Sequence, residues 1–316
     1  MSPKYDLKVF AGTANPELAS AVANWLKVPL GELRISRFKD GETYVKFEES
    51  VRGTDAYVIQ PTSAPVDTNL MELLICLDAL RRASAARVTA VIPYYGYARQ
   101  EKKDQPREPI TAKLVADLIT AAGAHRVMCM DLHAEAIQGF FNLPVDHLTA
   151  INLISGYFVK RGLQNIVVVS PDEGRVKKTR KVVAALGAPL AVGYKHHPKL
   201  GQTEVTHLAG DVKGKTPIII EDMITSGGSI MEAVDALLAH GCNPEVYVAC
   251  THGILAGDAV PRLTSRPEIC EIVMTDTVPL PAEKHHEKIK VLTVAPLFGE
   301  AIHRANNDLS ITSLFD

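Results

Sequence analysis

Residues Thr216–Ile230, TPIIIEDMITSGGSI, constrain the fold more than any other stretch of this chain. Ile218–Ile220 is a β-branched apolar run, the mark of a strand buried on both faces of a parallel sheet. Glu221 and Asp222 follow, then Thr225-Ser226-Gly227-Gly228-Ser229, then a helical pattern with Ile230, Met231, Val234, Leu237 and Leu238 apolar. A strand, a tight glycine turn and a helix start together form an anion site. The glycines let the backbone approach a ligand, and N–H groups at the helix N-terminus point at a phosphate. The hydroxyls of Thr225, Ser226 and Ser229 add donors or cap the helix. Glu221 and Asp222, at the carboxyl end of the strand, can bind ribose hydroxyls or a divalent metal. Gly-Gly-Ser alone would be an ordinary strand–helix connection. With two acids and three hydroxyls beside it, the stretch reads as a sugar-phosphate site.

The rest of the chain repeats this plan. Strands are expected at Lys8–Ala11, Arg34–Ser36, Thr43–Phe47, Ala56–Gln60, Arg87–Pro93 and Val127–Asp131. Helices are expected at Pro16–Leu26, Asn69–Ala83 and Ile110–Ala122, the second with five leucines on its inward stripe. Phe38–Glu42 reads as a turn and Glu101–Pro109, charged and with two prolines, as a loop. A second unit holds helices at Ala150–Val159, Lys177–Leu186 and Leu297–Ala305. Its strands are Asn165–Ser170, Leu190–Gly193, Ile218–Ile220, Glu245–Cys250, Glu271–Asp276 and Lys290–Val294. Lys195–Gln202, KHHPKLGQ, lacks apolar periodicity and reads as a mobile loop. Such alternation predicts an α/β protein of two tandem doubly wound parallel sheets. The units are expected at 1–148 and 149–316, with the C-terminal tail packing back on the first.

Composition excludes several function classes. The 316 residues are 47% hydrophobic and 22% charged, which fits a globular protein of about two domains. Thirty-four basic against 36 acidic residues give a net charge of −2, so no global field draws in nucleic acid or anionic membrane. The five cysteines are scattered without zinc-ligand spacing and read as thiols of a reducing, cytoplasmic compartment. The N-terminus has no signal-type apolar segment, and no run reaches membrane-spanning length. The pairs His196-His197 and His285-His286 lie in Lys- or Pro-containing loops with no third ligand evident, and read as solvated.

In open α/β sheets ligands gather outside the carboxyl ends of the strands. Those ends present Arg99 and Gln100, Asp131 and His133, Asp172 with Gly174, and Glu221 with Asp222. Each alone has an ordinary structural explanation. Their joint appearance at the ends of four buried strands points to one function.

The opening stretch resembles the phosphoribosyl-pyrophosphate (PRPP) loop of the type I phosphoribosyltransferase superfamily. Further blocks make the likeness narrower: FKDGE (38–42), ESVRG (49–53), NLMELL (69–74), VIPYYGYARQ (91–100), REPITAKLVADLI (107–119), MDLHAEAIQGFF (130–141), SPDEG (170–174) and TDTVPL (275–280). From Arg37 to Phe315 the chain is similar to the ribose-phosphate pyrophosphokinase family of the phosphate-dependent, class I type. The resemblance implies two domains of phosphoribosyltransferase type and the reaction of ATP with ribose 5-phosphate to PRPP and AMP. It implies that Phe38, Asp40, Gly41 and Glu42 hold adenine, reaching across from a neighbouring subunit, and that Arg99 and Gln100 meet ATP. Asp131, His133 and Asp172 are implied at the Mg²⁺ sites; carboxylates suit that ion, whereas a histidine is unusual. Glu221, Asp222, Thr225, Ser226, Gly227, Gly228 and Ser229 are implied to bind ribose 5-phosphate, with Lys195 and His197 catalytic. The family also implies hexamers built from dimers, activated by inorganic phosphate and inhibited by ADP, with Ser50, Arg52, Ser310 and Ser313 as candidates for the regulatory anion site.

Three features depart from the family pattern. His197 stands where an arginine is usual, and histidine is largely neutral above about pH 6.5. Thr225 and Glu221 replace aspartates, which is closer to a PRPP-consuming transferase. Arg175 follows Gly174 where a second glycine is usual, and there it either obstructs a bound phosphate or adds a positive contact. A weak regulatory subunit and a PRPP-consuming phosphoribosyltransferase therefore stay open as alternatives.

Overall fold

A computed structural model describes residues 5–199 and 202–314, without the side chains of 194–199, 202–207 and 313. The elements of the first stretch are β1 (Leu7–Ala11), α1 (Pro16–Leu26), β2 (Leu33–Arg37), β3 (Thr43–Phe47), β4 (Asp55–Ile59), α2 (Val66–Arg82), β5 (Arg87–Ile92), α3 (Thr111–Ala122), β6 (Arg126–Met130) and β7 (Val145–Leu148). Then follow α4 (Ile151–Arg161), β8 (Ile166–Ser170), α5 (Val176–Leu186), β9 (Leu190–Lys199), β10 (Gln202–Ala209), β11 (Thr216–Ile224), α6 (Gly228–Ala239), β12 (Val246–Gly253), α7 (Ala259–Thr264), β13 (Ile269–Thr275), β14 (Ile289–Leu292) and α8 (Ala295–Asn306).

Two compact units result. One takes in the chain up to Thr149, Thr277–Pro279 and the stretch from Thr293 onward; the other is Ala150–Asp276 with Leu280–Leu292. The first unit contains a parallel sheet in the order β1-β4-β5-β6-β7 and a separate antiparallel pair, β2-β3. Its core is Phe10, Val58, Leu73, Leu77, Val88, Ile92 and Ile119, all without exposed surface. Helix α8 packs against α1 in this unit: a Cβ on Gly299 would fall 2.4 Å from Cε3 of Trp25, so only glycine admits that ring.

The second unit contains a seven-stranded sheet, β10-β9-β8-β11-β12-β13-β14, parallel except for β10 at its edge. Ile218–Ile220 lies between parallel neighbours β8 and β12 and is buried throughout, as a β-branched run requires. Val167, Val169, Ile219, Val234, Leu237, Val248 and Ile272 make its core. Cys76, Cys129, Cys242 and Cys250 are buried and Cys270 is exposed. Among the described residues no helix is long and apolar enough to cross a membrane.

The α/β architecture of parallel sheets agrees with the sequence-based expectation, and three elements differ. The mobile loop expected over Lys195–Gln202 is replaced, among the described residues, by the outer part of β9 and the start of β10. Beyond Val192, β9 pairs with β10 alone. A two-stranded antiparallel ribbon needs main-chain partners rather than apolar periodicity, and Pro198 falls within an irregular stretch of the pairing, where proline is tolerated. The strand expected to end at Ile220 runs on to Ile224, so Glu221 and Asp222 lie inside it. The short β7 and α7 carry too few periodic residues to be visible in the sequence.

Candidate active site

In the second unit the strand order reverses between β8 and β11: β9 lies on one side of the pair, β12 on the other. Crevices at such reversals are where open α/β sheets take ligands. From the end of β8, Ser170-Pro171-Asp172 leads into a single helical turn, Glu173–Arg175, and then into α5. The Ser170 hydroxyl donates to the Asp172 carbonyl at 2.8 Å, which fixes this exit. Beside it, β11 carries Glu221 and Asp222, both buried, and leads through Thr225–Gly227 into α6.

Arg175 binds these acids together. Its Nε lies 2.9 Å from Glu221 Oε2 and 3.2 Å from Asp172 Oδ2, and its Nη1 pairs with Asp222 Oδ1. Burial works against the guanidinium charge, but the fields of Glu221 and Asp222 outweigh it and raise its pKa. Three carboxylates thus surround one cation. Oxygen donors of this kind also suit a hard divalent cation.

The turn before α6 has the form expected of a phosphate cradle. Gly227 adopts φ +77°, a conformation glycine takes without strain, and a Cβ there would come within 3.0 Å of Leu263. Helix α6 starts at Gly228 with no side-chain cap, so Thr225, Ser226 and Ser229 do not cap it. Thr225 accepts through its carbonyl from the Ala256 N–H at 2.8 Å, and Ser226 and Ser229 are exposed.

In the first unit, Asp131 follows β6 with φ +38°, in the left-handed region that a non-glycine residue seldom occupies. The Thr149 hydroxyl donates to its Oδ1 at 2.9 Å, and its own N–H donates to the Leu148 carbonyl. The next N–H, of Leu132, donates to His147 Nε2 at 2.8 Å, so the turn carrying Asp131 and half-buried His133 is held on two sides. Arg99 and Gln100 are exposed after β5; Gln100 accepts from the Thr111 hydroxyl and, through its carbonyl, from the Ala112 N–H at the start of α3.

The turn between β2 and β3 presents Phe38 with 53% of its surface exposed, edge-on to Tyr44 at 5.7 Å. The Phe38 N–H donates to Glu42 O and the Gly41 N–H to Phe38 O, both at 2.9 Å. The Glu42 N–H donates to Asp40 Oδ1, and Gly41 adopts φ +95°. The turn is rigid while Phe38, Asp40 and Glu42 remain exposed to a ligand.

Of the remaining candidates, Ser50 and Arg52 are exposed after β3, and Ser310 is exposed with its hydroxyl donating to Thr312 Oγ1. The side chains of Lys195, His197 and Ser313 lie outside the described residues; the backbones of the first two lie on β9. The structure thus joins Asp172 to Glu221 and Asp222 through Arg175, while Asp131 and His133 belong to the other unit. No set of three or more His, Cys, Asp or Glu side chains converges as a preformed metal cluster among the described residues.

Two contributors were not read from the sequence. Thr149 holds Asp131, and Glu72, fully buried on α2, holds Arg37 immediately before the Phe38 turn. The visible trace of the second was an acid inside the leucine stripe of Asn69–Ala83.

Comparison with known proteins agrees with this fold. The family model for the N-terminal domain of ribose phosphate pyrophosphokinase matches residues 7–123, and that for the phosphoribosyl synthetase-associated domain matches 164–316. The ribose-phosphate pyrophosphokinase of Caldanaerobacter subterraneus subsp. tengcongensis is 54% identical over 310 residues, covering 98% of both chains. That of Clostridium tetani is 50% identical over 313 residues, covering 98% of this chain and 97% of its own. The crystal structure of phosphoribosylpyrophosphate synthetase from Mycobacterium smegmatis superposes with a TM-score of 0.90 at 44% identity, over 96% of this chain and 99% of that one.

Proposed function

The chain belongs to the ribose-phosphate pyrophosphokinase family, and on that premise we infer that it transfers the pyrophosphoryl group of ATP to the anomeric hydroxyl of ribose 5-phosphate, giving PRPP and AMP. The observation that carries the reading is likeness over nearly the full length of both chains to proteins named for this activity. The alternatives, a regulatory subunit and a PRPP-consuming transferase, find no support in those likenesses.

In this reaction the anomeric oxygen attacks the β-phosphorus of ATP, the bond from that phosphorus to AMP breaks, and the hydroxyl loses its proton. Little covalent chemistry falls to the protein, so its contribution is positioning and neutralisation of charge. Glu221 and Asp222 accept hydrogen bonds from the ribose hydroxyls. Thr225–Ser229 cradle the 5-phosphate with the N–H groups that open α6. Phe38 stacks on adenine, Asp40, Gly41 and Glu42 fix its edge, and Arg99 and Gln100 meet the ribose and phosphates of ATP. Lys195 and His197, whose backbones lie on β9, are the catalytic residues. Asp131, His133 and Asp172 would supply ligands at the Mg²⁺ sites; the carboxylate oxygens suit that ion, and a histidine is the unusual ligand. When bound, Mg²⁺ offsets the negative charge of the phosphates. The chain assembles as a hexamer built from dimers in the cytoplasm, and inorganic phosphate activates it through Ser50, Arg52, Ser310 and Ser313.

The test is AMP formation from ATP, Mg²⁺ and ribose 5-phosphate, with and without added phosphate. Turnover that requires the pentose supports the reading. A folded protein that binds ATP yet forms no AMP would overturn it.

A further inference from the structure

Arg175 comes from the turn that follows β8, and its main chain is fixed there: the Thr179 hydroxyl donates to its carbonyl at 3.1 Å. Its guanidinium is 18% exposed and lies between carboxylates delivered by two neighbouring strands, Asp172 after β8 and Glu221 and Asp222 on β11. Three carboxylates this close repel one another, and positive charge placed among them relieves that repulsion. Here a guanidinium fills that position. Its Nε–H donates to Asp172 Oδ2, Nε also lies 2.9 Å from Glu221 Oε2, and Nη1 pairs with Asp222, so one guanidinium meets all three acids.

We propose that Arg175 is the positioning residue of the pentose site: a built-in counter-ion that aims Glu221 and Asp222 at the sugar hydroxyls and occupies the place a divalent cation would otherwise take between them. The proposal rests on the reading of Glu221 and Asp222 as the pentose-binding acids. An arginine is charged at every working pH and cannot dissociate, so the acids stay oriented whatever the free Mg²⁺ level. It also lowers the repulsion between this acid cluster and an incoming sugar phosphate. Arg175 faces the acids.

The experiment compares wild type with Arg175→Gln, Arg175→Ala and Arg175→Lys in the full-length protein. Two readouts are taken: KM and kcat for ribose 5-phosphate at low and high free Mg²⁺, and Mn²⁺ binding to nucleotide-free protein by calorimetry. The Gln and Ala variants should raise the pentose KM about tenfold with a smaller change in kcat, the loss expected when charge-assisted orientation is removed. High free Mg²⁺ should narrow that gap, and both variants should bind one more Mn²⁺ than wild type. Arg175→Lys keeps the charge but loses the fork, so it should bind no extra Mn²⁺ while raising the pentose KM less than Gln or Ala does. If Arg175→Ala does not fold, the Gln and Lys pair carries the same comparison. An unchanged pentose KM in Gln with wild-type Mn²⁺ stoichiometry would overturn the proposal, as would equal effects of Gln and Lys on both substrates. Failure of the wild type to form AMP would instead overturn the functional reading, while the Mn²⁺ comparison would still decide the role of Arg175.

Discussion

Nη2 of Arg37 lies 3.1 Å from Oε2 of Glu72, a carboxylate with no exposed surface. The same carboxylate accepts from the Thr13 N–H at 2.7 Å, the Thr13 hydroxyl and Gln60 Nε2 at 2.8 Å. Arg37 also donates to Thr43 Oγ1 and immediately precedes Phe38, so Glu72 sets the direction in which the β2–β3 turn leaves the unit. Glu72→Ala strands four donors, of which the Gln60 amide is buried, and should lower stability by about 2 kcal/mol, read from urea denaturation. It should also raise the ATP KM by roughly tenfold while leaving the pentose KM little changed, because the proposed adenine contacts lose their orientation.

Arg87 joins the C-terminal segment to the first sheet. It pairs with Asp55, which is almost wholly buried, donates to Asp308 Oδ1 at 2.8 Å and to the Asn306 carbonyl at 3.2 Å, and stacks over the Tyr5 ring. Asn306 Nδ2 in turn donates to Asp55 Oδ2 at 3.0 Å. Arg87→Met leaves the Asp55 charge buried without its cation and should cost about 3 kcal/mol. Asn306→Ala should cost about 1 kcal/mol. Chemical denaturation measures both, and limited proteolysis should show faster cleavage near α8 in the Arg87 variant.

Glu49 gives a pH dependence whose sign is fixed. Burial would raise its pKa, but the bond from Lys8 and the Glu32 N–H, 2.8 Å from Oε1, outweigh burial and hold it below its ordinary value of 4.5. A depressed folded-state pKa contributes stability above the unfolded value and loses it as pH falls through the folded one. Glu49→Gln should therefore be less stable than wild type at pH 7, and the difference should shrink below about pH 4.5. Urea midpoints at pH 7 and at acid pH measure it; a constant difference would contradict the assignment.

His197 predicts a pH dependence of turnover rather than of stability. A histidine carries charge only below about pH 6.5 unless a phosphate nearby sustains it. AMP formation should weaken from mildly acidic to mildly alkaline pH, and His197→Arg should flatten that profile without changing the pentose KM. A profile already flat in the wild type would assign the charge to Lys195 and Lys199.

The α/β plan was legible in the amino-acid sequence because its signals are local. A β-branched run such as Ile218–Ile220 can be satisfied only between two buried neighbours, and the glycines at 227 and 228 mark the strand–helix turn within a few residues. The acids at 221 and 222 were visible for the same reason. Periodicity did not reveal the β9–β10 ribbon, since two strands that satisfy each other's main chains need no apolar alternation.

Tertiary structure alone decided what the charged residues do. Nothing local says that Arg175 turns toward Glu221 and Asp222, or that Glu72 accepts from residues on three other segments. An ion pair depends on distance in space and on how much water each partner has lost, and both are set only when distant strands come into register. The sequence by itself determined most of the strands and helices, the paired acids at 221 and 222 and the glycine turn that follows them. Folding determined which cation each buried acid faces, because only the packed sheet brings them within hydrogen-bonding distance.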